Sequence, residues 1–301
     1  MKSFSIIIPY HNTPAHDRTV YMNELLASIP DRADLEVIMV DDHSSIPFSP
    51  NAAFKHTTLR IEMNDPGLKY AGTARNKGIS LANGDYLIFA DSDDLFDPIE
   101  LTRAMDGACE SHADLILFHV SSFRDDGCRG TRHANVERML TDFCKTGNPD
   151  SLVNYHGPWG KIISRRFVME RGLTFGATRV ANDVLFAVKL FMEKPSIQVL
   201  ENTAYKIREG NPSLTNDISE DTANIRINVA RDVHDVLSSY GRKDLAAPLH
   251  YVLRRYARRF PRVALCQLMK SVIRGDLILP TPQRVIKHMR NLARESLART
   301  P

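Results

Sequence analysis

Three groups of polar residues in the first hundred positions have the types and spacing needed to hold a phosphorylated ligand. His11 and Asn12 follow the apolar run Phe4–Ile8, Asp41 and Asp42 follow Leu35–Val40, and Asp91, Asp93 and Asp94 follow Tyr86–Ala90. Asp, Asn and Ser are common in loops and caps, so any single cluster has a plain structural explanation. Three clusters just past the ends of strand-like runs mark a crevice of the kind in which open α/β sheets bind ligands. No glycine-rich phosphate loop is present, neither G-x-x-x-x-G-K-[ST] nor G-x-G-x-x-G. Bare carboxylates would repel a diphosphate by several kcal/mol at ~4 Å and an effective dielectric of about 20. A hard divalent cation reverses that sign by bridging carboxylate and phosphate oxygens, so the acidic edge fits a metal–diphosphate ligand, with Mg²⁺ or Mn²⁺ suited to oxygen donors.

These residues need a scaffold, and the pattern around them supplies one. Phe4–Ile8, Leu35–Val40, Leu59–Met63, Tyr86–Ala90 and Leu115–Val120 are short, rich in Ile, Val, Leu and Phe, and suit strands buried on both faces. Helical spacing is found between them, at Val20–Ile29, Ala71–Leu81 and Ile99–Ser111, the last behind an Asp97-Pro98 start signal. Such alternation predicts an α/β fold built on a mainly parallel, doubly wound sheet with flanking helices. The stretch 124–158 is polar and gives no clear element. Beyond it the spacing predicts a helix over Asp183–Met192 and a strand pair at Ile197–Leu200 and Ala204–Ile207. From Ser219 the pattern is helical, interrupted at Gly241, Pro248, Pro261, Gly275, Pro280 and Pro282.

Composition narrows the class. With 301 residues, 43% hydrophobic and 25% charged, the chain can bury a real core. No apolar stretch approaches the ~20 residues that span a bilayer, and Phe4–Ile8 is too short for a secretory leader. Cys109, Cys128, Cys144 and Cys266 form no C-x-x-C pair, so reduced, mostly buried thiols in a cytoplasmic protein are expected. The net charge of +3 hides a division: from Leu245 to Pro301 there are 12 Lys/Arg and 2 Asp/Glu, a net of +10, while the rest of the chain carries −7.

Taken together the motifs resemble a known family. Ser5-Ile6-Ile7-Ile8-Pro9-Tyr10-His11-Asn12, Val40-Asp41-Asp42-His43-Ser44-Ser45, Ala74-Arg75-Asn76-Lys77-Gly78 and Phe89-Ala90-Asp91-Ser92-Asp93-Asp94 stand in the order and spacing of the GT-A fold family 2 glycosyltransferases. The resemblance continues through Pro158-Trp159-Gly160-Lys161, Asn182-Asp183 and Tyr205-Lys206-Ile207-Arg208. It implies a GT-A nucleotide-sugar-binding and catalytic domain over 1–215, followed by a helical, basic region over 216–301. It also implies an inverting transfer from a nucleotide-diphosphate donor, a UDP-sugar, to a hydroxyl of a glycan or lipid-linked acceptor, dependent on Mn²⁺ or Mg²⁺. By the same resemblance Pro9 and His11 border the base, Asp42 or alternatively Asp41 hydrogen-bonds it, and Arg75 reaches the nucleotide side. Asp91 approaches the ribose, Asp93 ligates the metal with Asp94 close behind, and Trp159 lies on the acceptor side. His11 stands where relatives commonly carry an aromatic residue, and Asn182 where they usually carry Glu.

Asp183 is the candidate catalytic base, a carboxylate able to take the acceptor hydroxyl's proton as its oxygen attacks the anomeric carbon. The competing role is an N-cap for the helix that starts at Val184. Trp159 has the alternative of a core ring packing the sheet. Lys161 fits a solvated strand-edge lysine and an anion contact equally. Arg208, ahead of Gly210-Asn211-Pro212-Ser213, is placed either to hold the diphosphate or in a surface turn.

The basic region has its own reading. Arg254, Arg255, Arg258, Arg259 and Arg262 fall on one helical face and the excess continues to Arg299, with Leu, Ile, Val and Met interspersed. An anionic membrane surface is the expected partner, which places the protein peripherally on the inner face of the plasma membrane. Nucleic acid is not expected, because no RNA or DNA motif accompanies the charge. Two other functions compete: a nucleotidyltransferase, against which the glycine-free segment His11–Arg18 argues, and a non-catalytic nucleotide-sugar-binding scaffold, against which Asp93 and Asp183 argue.

Overall fold

A computed structural model describes residues 2–51, 53–210, 218–247 and 249–274. Strand-forming Ile, Val and Phe open the chain, and they build β1 (Phe4–Tyr10), β2 (Leu35–Asp41), β3 (Thr58–Met63) and β4 (Tyr86–Phe89). Every residue of β1 and β4 is buried, as the unalternated runs require. These four strands are parallel: β1 is flanked by β2 and β4, in register Ile6 to Val37 and Ile6 to Ile88, and β3 lies outside β2. The crossovers are α1 (Thr19–Ala27) and α2 (Ala71–Leu81). Gly78 lets α2 lie tight on the sheet, because a Cβ there would stand 2.3 Å from the Ile7 side chain.

Past β4 come β5 (Leu95–Phe96), α3 (Pro98–Glu110), β6 (Leu115–Arg124) and α4 (Ala134–Thr146). Asp97 caps α3 by accepting the Glu100 amide at 3.2 Å, with Pro98 at the first helical position, as its sequence signal requires. The second half adds β7 (Lys161–Ser164), α5 (Arg165–Glu170), α6 (Val184–Met192) and β8 (Ile197–Glu209). The described strands form one sheet in the order β3-β2-β1-β4-β7-β6-β8-β5. Four of its pairings are parallel; β7 enters antiparallel to both β4 and β6, and β5 antiparallel to β8. The sheet is therefore mixed, with the parallel half at the N-terminal side.

Three local expectations change. The strand pair expected at 197–207 is one continuous strand, because irregularities between Phe118 and Val120 of β6 absorb the extra residues of β8 without a turn. The unassigned stretch holds α4, whose apolar residues Val136 and Leu140 recur at helical spacing among polar neighbours. The four cysteines are unpaired, but they are half-buried or exposed rather than mostly buried, since each sits on a helix flank or turn.

The chain divides into two compact units, Met1–Asp217 and Ile218–Pro301. The second contains α7 (Glu220–Ser239), α8 (Leu249–Ala257) and α9 (Pro261–Arg274), closed around Ala223, Ile227, Leu249, Leu253, Tyr256 and Val263. A Ser219 capping box starts α7. Arg231 of α7 is buried and donates to the Gln267 carbonyl at 2.6 Å and to Ser271 Oγ at 2.8 Å, fastening α7 to α9.

Candidate active site

The C-terminal ends of β1, β2 and β4 bring the three polar clusters together, because parallel neighbours end at the same edge. Pro9 is buried within β1 opposite Val40. His11 is exposed just beyond, with Nδ1 at 2.8 Å from the Asp42 carbonyl oxygen. Asp41 closes β2 and receives the Ser44 amide at 2.8 Å. Asp42 is also buried; one oxygen accepts Asn64 Nδ2 at 2.7 Å and the other the Tyr70 amide at 2.6 Å. Each carboxylate oxygen has a second lone pair, so these contacts fix Asp42 in place without exhausting it.

The acidic run after β4 is sorted by environment. Asp91 is about one-third exposed and pairs with Arg75 Nη2 at 2.5 Å. Asp93 pairs with Arg18 Nη1 at 2.6 Å, both side chains being roughly a quarter exposed. Asp94 turns inward: Tyr205 Oη donates to it at 2.8 Å and the Arg208 amide at 2.8 Å. Burial raises the Asp94 pKa well above the ordinary carboxylate value, and Asp91 and Asp93 push it the same way. This departs from the expected metal role, since a ligand beside Asp93 would need an oxygen facing the crevice. Asp94 instead holds the loop against β8.

Arg208 departs likewise from a diphosphate contact. It is buried between the rings of Tyr21 and Phe123, donates Nε to the Asp93 carbonyl at 2.8 Å, and pairs with Glu24 and Asp125. With its fork consumed by two carboxylates and a carbonyl, it braces the acidic loop from beneath.

Arg75 is 4% exposed, and this decides its role. Its guanidinium reaches Asp91 with one arm and Asn182 Oδ1, at 2.9 Å, with the other, and it lies over Phe175. It joins the acidic loop to the segment that carries Asp183. Other contacts from α2 secure the same segment. Asn76 exchanges hydrogen bonds with the Phe175 backbone at 2.8 and 3.0 Å. Gly72 passes so close that a Cβ would stand 2.0 Å from the Gly176 carbonyl oxygen.

Asp183 occupies the N-cap position of α6, yet its side chain makes no capping hydrogen bond. The carboxylate is thus not consumed by the competing structural role. Burial raises its pKa; Arg75 and Lys161 oppose that rise and Asp91 adds to it. A carboxylate whose pKa is raised by burial, with the Arg75 guanidinium nearby, is suited to take a proton.

Beside Asp183 lies a buried group that the sequence left undefined. Lys161 is 1% exposed, with Nζ 3.3 Å from the centroid of the Tyr155 ring and donating to the Gly157 carbonyl. Burial drives its pKa well down, against the pull of Asp183. His156 is depressed to about 4 by burial and by Lys161. Trp159 is 7% exposed and stacks on Tyr205 with ring planes 13° apart. This packing fits the core alternative for the ring.

Sequence reasoning missed the partners that hold these groups. Arg18 and Asp93 are 75 positions apart, and Tyr205 and Asp94 111 apart, separations that no local spacing reveals. Tyr205 does stand in a strand-like run; its burial was legible there, its hydrogen bond to Asp94 was not.

Residues 5–172 match the family model described as Glycosyl transferase family 2. A relative from Staphylococcus aureus (strain Mu50 / ATCC 700699), poly(ribitol-phosphate) beta-N-acetylglucosaminyltransferase TarS, is 26% identical over 219 residues, 68% of this chain and 35% of the relative. The uncharacterized glycosyltransferase EpsJ of Bacillus subtilis (strain 168) is 26% identical over 224 residues, 70% of this chain and 62% of the relative. The chain therefore spans about a third of the length of TarS and less than two-thirds of EpsJ. The crystal structure of S. aureus TarS 1–349 in complex with UDP-GlcNAc superposes with a TM-score of 0.62 at 20% identity, covering 85% of this chain and 73% of that one. The shared architecture is the GT-A fold with a helical region following it.

Proposed function

The chain belongs to glycosyl transferase family 2, and we propose that it transfers a sugar, with inversion, from a UDP-sugar to a hydroxyl of a glycan or lipid-linked acceptor. The observation that carries this reading is the convergence, through Arg75, of an acidic strand edge and an uncapped carboxylate, Asp183. A nucleotide bound along the ends of β1, β2 and β4 would have Pro9 and His11 bordering the base, Asp41 and Asp42 offering it acceptors, and Asp91 facing the ribose. The UDP-GlcNAc bound by TarS supports a uridine donor. Arg75, being buried, orients Asp91 and the Asp183 segment and does not itself touch the base.

Asp183 takes the proton from the acceptor hydroxyl as its oxygen bonds to the anomeric carbon and the bond to the diphosphate breaks on the opposite face. Arg75 offsets the charge of Asp183 while it is ionised. Among the described residues no group of three His, Cys, Asp or Glu is arranged to hold a metal alone. That donor set fits an ion carried in by its substrate, because Mg²⁺-type ions are commonly held by one or two carboxylates plus phosphate oxygens. Asp93 is the carboxylate placed to contribute. When bound, Mn²⁺ or Mg²⁺ would neutralise charge on the departing nucleoside diphosphate. The 1–215 segment then supplies binding and catalysis, and the nucleotidyltransferase and silent-scaffold alternatives give way to transfer.

The helical region is read as a membrane-facing element of a cytoplasmic, peripheral protein. Between Leu249 and Arg274 there are seven Lys/Arg and no Asp/Glu. Leu265, Leu268, Met269, Val272 and Ile273 form an exposed apolar row on α9, Ile273 being 83% exposed. No helix among the described residues is long and apolar enough to cross a bilayer. Surface attachment by apolar insertion and attraction to anionic lipid fits this combination.

A thermal-shift screen of nucleoside diphosphates and their sugars, with and without Mn²⁺, tests the donor reading. A uridine-selective rise in Tm that requires the metal is expected, since a ligand that binds only the native state stabilises it. No response to any nucleotide would overturn it.

A further inference from the structure

The three carboxylates of the acidic run differ in how firmly their partners are held. Asp91 is gripped by Arg75, itself buried and anchored to Asn182. Asp94 is locked to Tyr205 and the Arg208 amide. Asp93 has a partner of another kind, the side chain of Arg18, which reaches it at 2.6 Å from the segment between β1 and α1 and is about one-quarter exposed. The backbone of Arg18 is fixed, because buried Asn12 accepts its amide at 2.8 Å while donating to Thr19 Oγ1 at 3.1 Å and Asp17 Oδ1 at 3.3 Å. A fixed backbone with a long, partly solvated side chain gives an arm that can swing without moving its root.

The Asp93 oxygen that Arg18 occupies, Oδ2, lies on the carboxylate proposed above as the metal contact. A guanidinium and a divalent cation on the same carboxylate repel each other across a few ångströms in a partly desolvated crevice, so the two compete for Asp93. A diphosphate arriving with the ion brings several anionic oxygens, and the planar fork of Arg fits phosphate oxygens in pairs.

We propose that Arg18 is an exchangeable counter-ion: it neutralises Asp93 in the donor-free protein and passes to the diphosphate when a metal–nucleotide complex binds. The inference rests on the donor reading given above and deepens it. Its consequence is an order of binding, since the ion alone must approach Asp93 against the charge of Arg18, with no phosphate to receive the guanidinium. Metal binding is weak by itself and strong together with the nucleotide. Arg18 is then a diphosphate-binding residue, which links the β1–α1 segment to donor recognition.

The test measures binding and not turnover, on the full chain. Free Mn²⁺ is followed by electron paramagnetic resonance during titration, without and with UDP, for the wild type and Arg18→Gln; UDP and uridine affinities are measured by calorimetry in the presence of Mn²⁺. Arg18→Gln is expected to bind Mn²⁺ alone about tenfold more tightly, because Asp93 is released, and to bind UDP about tenfold more weakly, because a phosphate contact is lost. Uridine, which lacks phosphate, should bind both proteins equally. Arg18→Lys, which keeps the charge but not the fork, should exclude lone Mn²⁺ as the wild type does and recover only part of the UDP affinity. Circular dichroism checks that the variants are folded, as loss of a partly exposed ion pair costs little stability. Equal Mn²⁺ and UDP affinities in wild type and Arg18→Gln would overturn this inference alone. Failure of both proteins to bind UDP with Mn²⁺ would overturn the donor reading and this inference with it.

Discussion

Arginine does opposite work in the two units of this molecule. In the first, Arg75 and Arg208 are buried, each committed to partners far away in sequence, and they position carboxylates. In the second, Arg254 and Arg255 at the end of α8, Arg258 and Arg259 in the turn that follows and Arg262 in α9 are all exposed, so the stripe expected on one helical face is broken by that turn, and no acidic residue lies between Leu249 and Arg274. Buried guanidinium groups must be paired, since an uncompensated charge in the interior is costly. Exposed ones are hydrated, and their summed field acts on whatever approaches. The first unit therefore uses charge to fix geometry, and the second to attract a surface. Arg231 shows that the distinction is one of burial: in the second unit, but buried, it too is bound to specific partners.

The comparison breaks most visibly if the geometry of the first unit proves dispensable. Asp183→Asn should lower kcat by roughly 10²–10⁴ with little change in donor KM, read as UDP release from the donor. The base must be ionised to act, and burial raises its pKa. The wild-type kcat/KM should accordingly fall on acidification with a midpoint above the ordinary Asp range, and the variant's residual rate should lack that limb. Unchanged turnover would remove Asp183 from the chemistry.

A middle-sized effect separates charge from hydrogen bonding in the acidic loop. Asp94→Ala should cost about 2–3 kcal/mol in urea unfolding, because Tyr205 Oη and the Arg208 amide lose a buried acceptor. Asp94→Asn should cost under ~1 kcal/mol, since it keeps an acceptor and burial already favours the neutral form. Equal losses in the two variants would mean that the charge itself is required there.

The smallest effect belongs to the second unit. Arg258→Gln should leave thermal stability unchanged and weaken partitioning onto anionic vesicles about fivefold, from ~1 kcal/mol per basic residue near such a surface. If the wild-type chain partitioned equally onto neutral and anionic vesicles, the contrast drawn above would lose its second half.

Much of the first unit was legible in its sequence. Phe4–Ile8, Leu35–Val40 and Tyr86–Ala90 gave the parallel strands because fully buried strands need uninterrupted apolar runs, and Asp97-Pro98 gave the start of α3 because that pair has a local mechanism. The common edge that gathers His11, Asp41 and Asp91 follows from parallel topology. Less legible was the division of labour within the acidic run, where residues adjacent in sequence differ in what they meet. Trp159 and Arg208 were left between alternatives for the same reason: an aromatic ring or a guanidinium beside a motif has no fixed orientation until its neighbours are in place.

By itself, then, the sequence determined which residue types reach the strand ends and that carboxylates there call for a compensating cation, since both follow from local periodicity and charge. Tertiary structure alone decided which carboxylate stays accessible. Desolvation and hydrogen bonding depend on groups such as Tyr205 and Arg18, brought into contact only by folding across 111 and 75 positions.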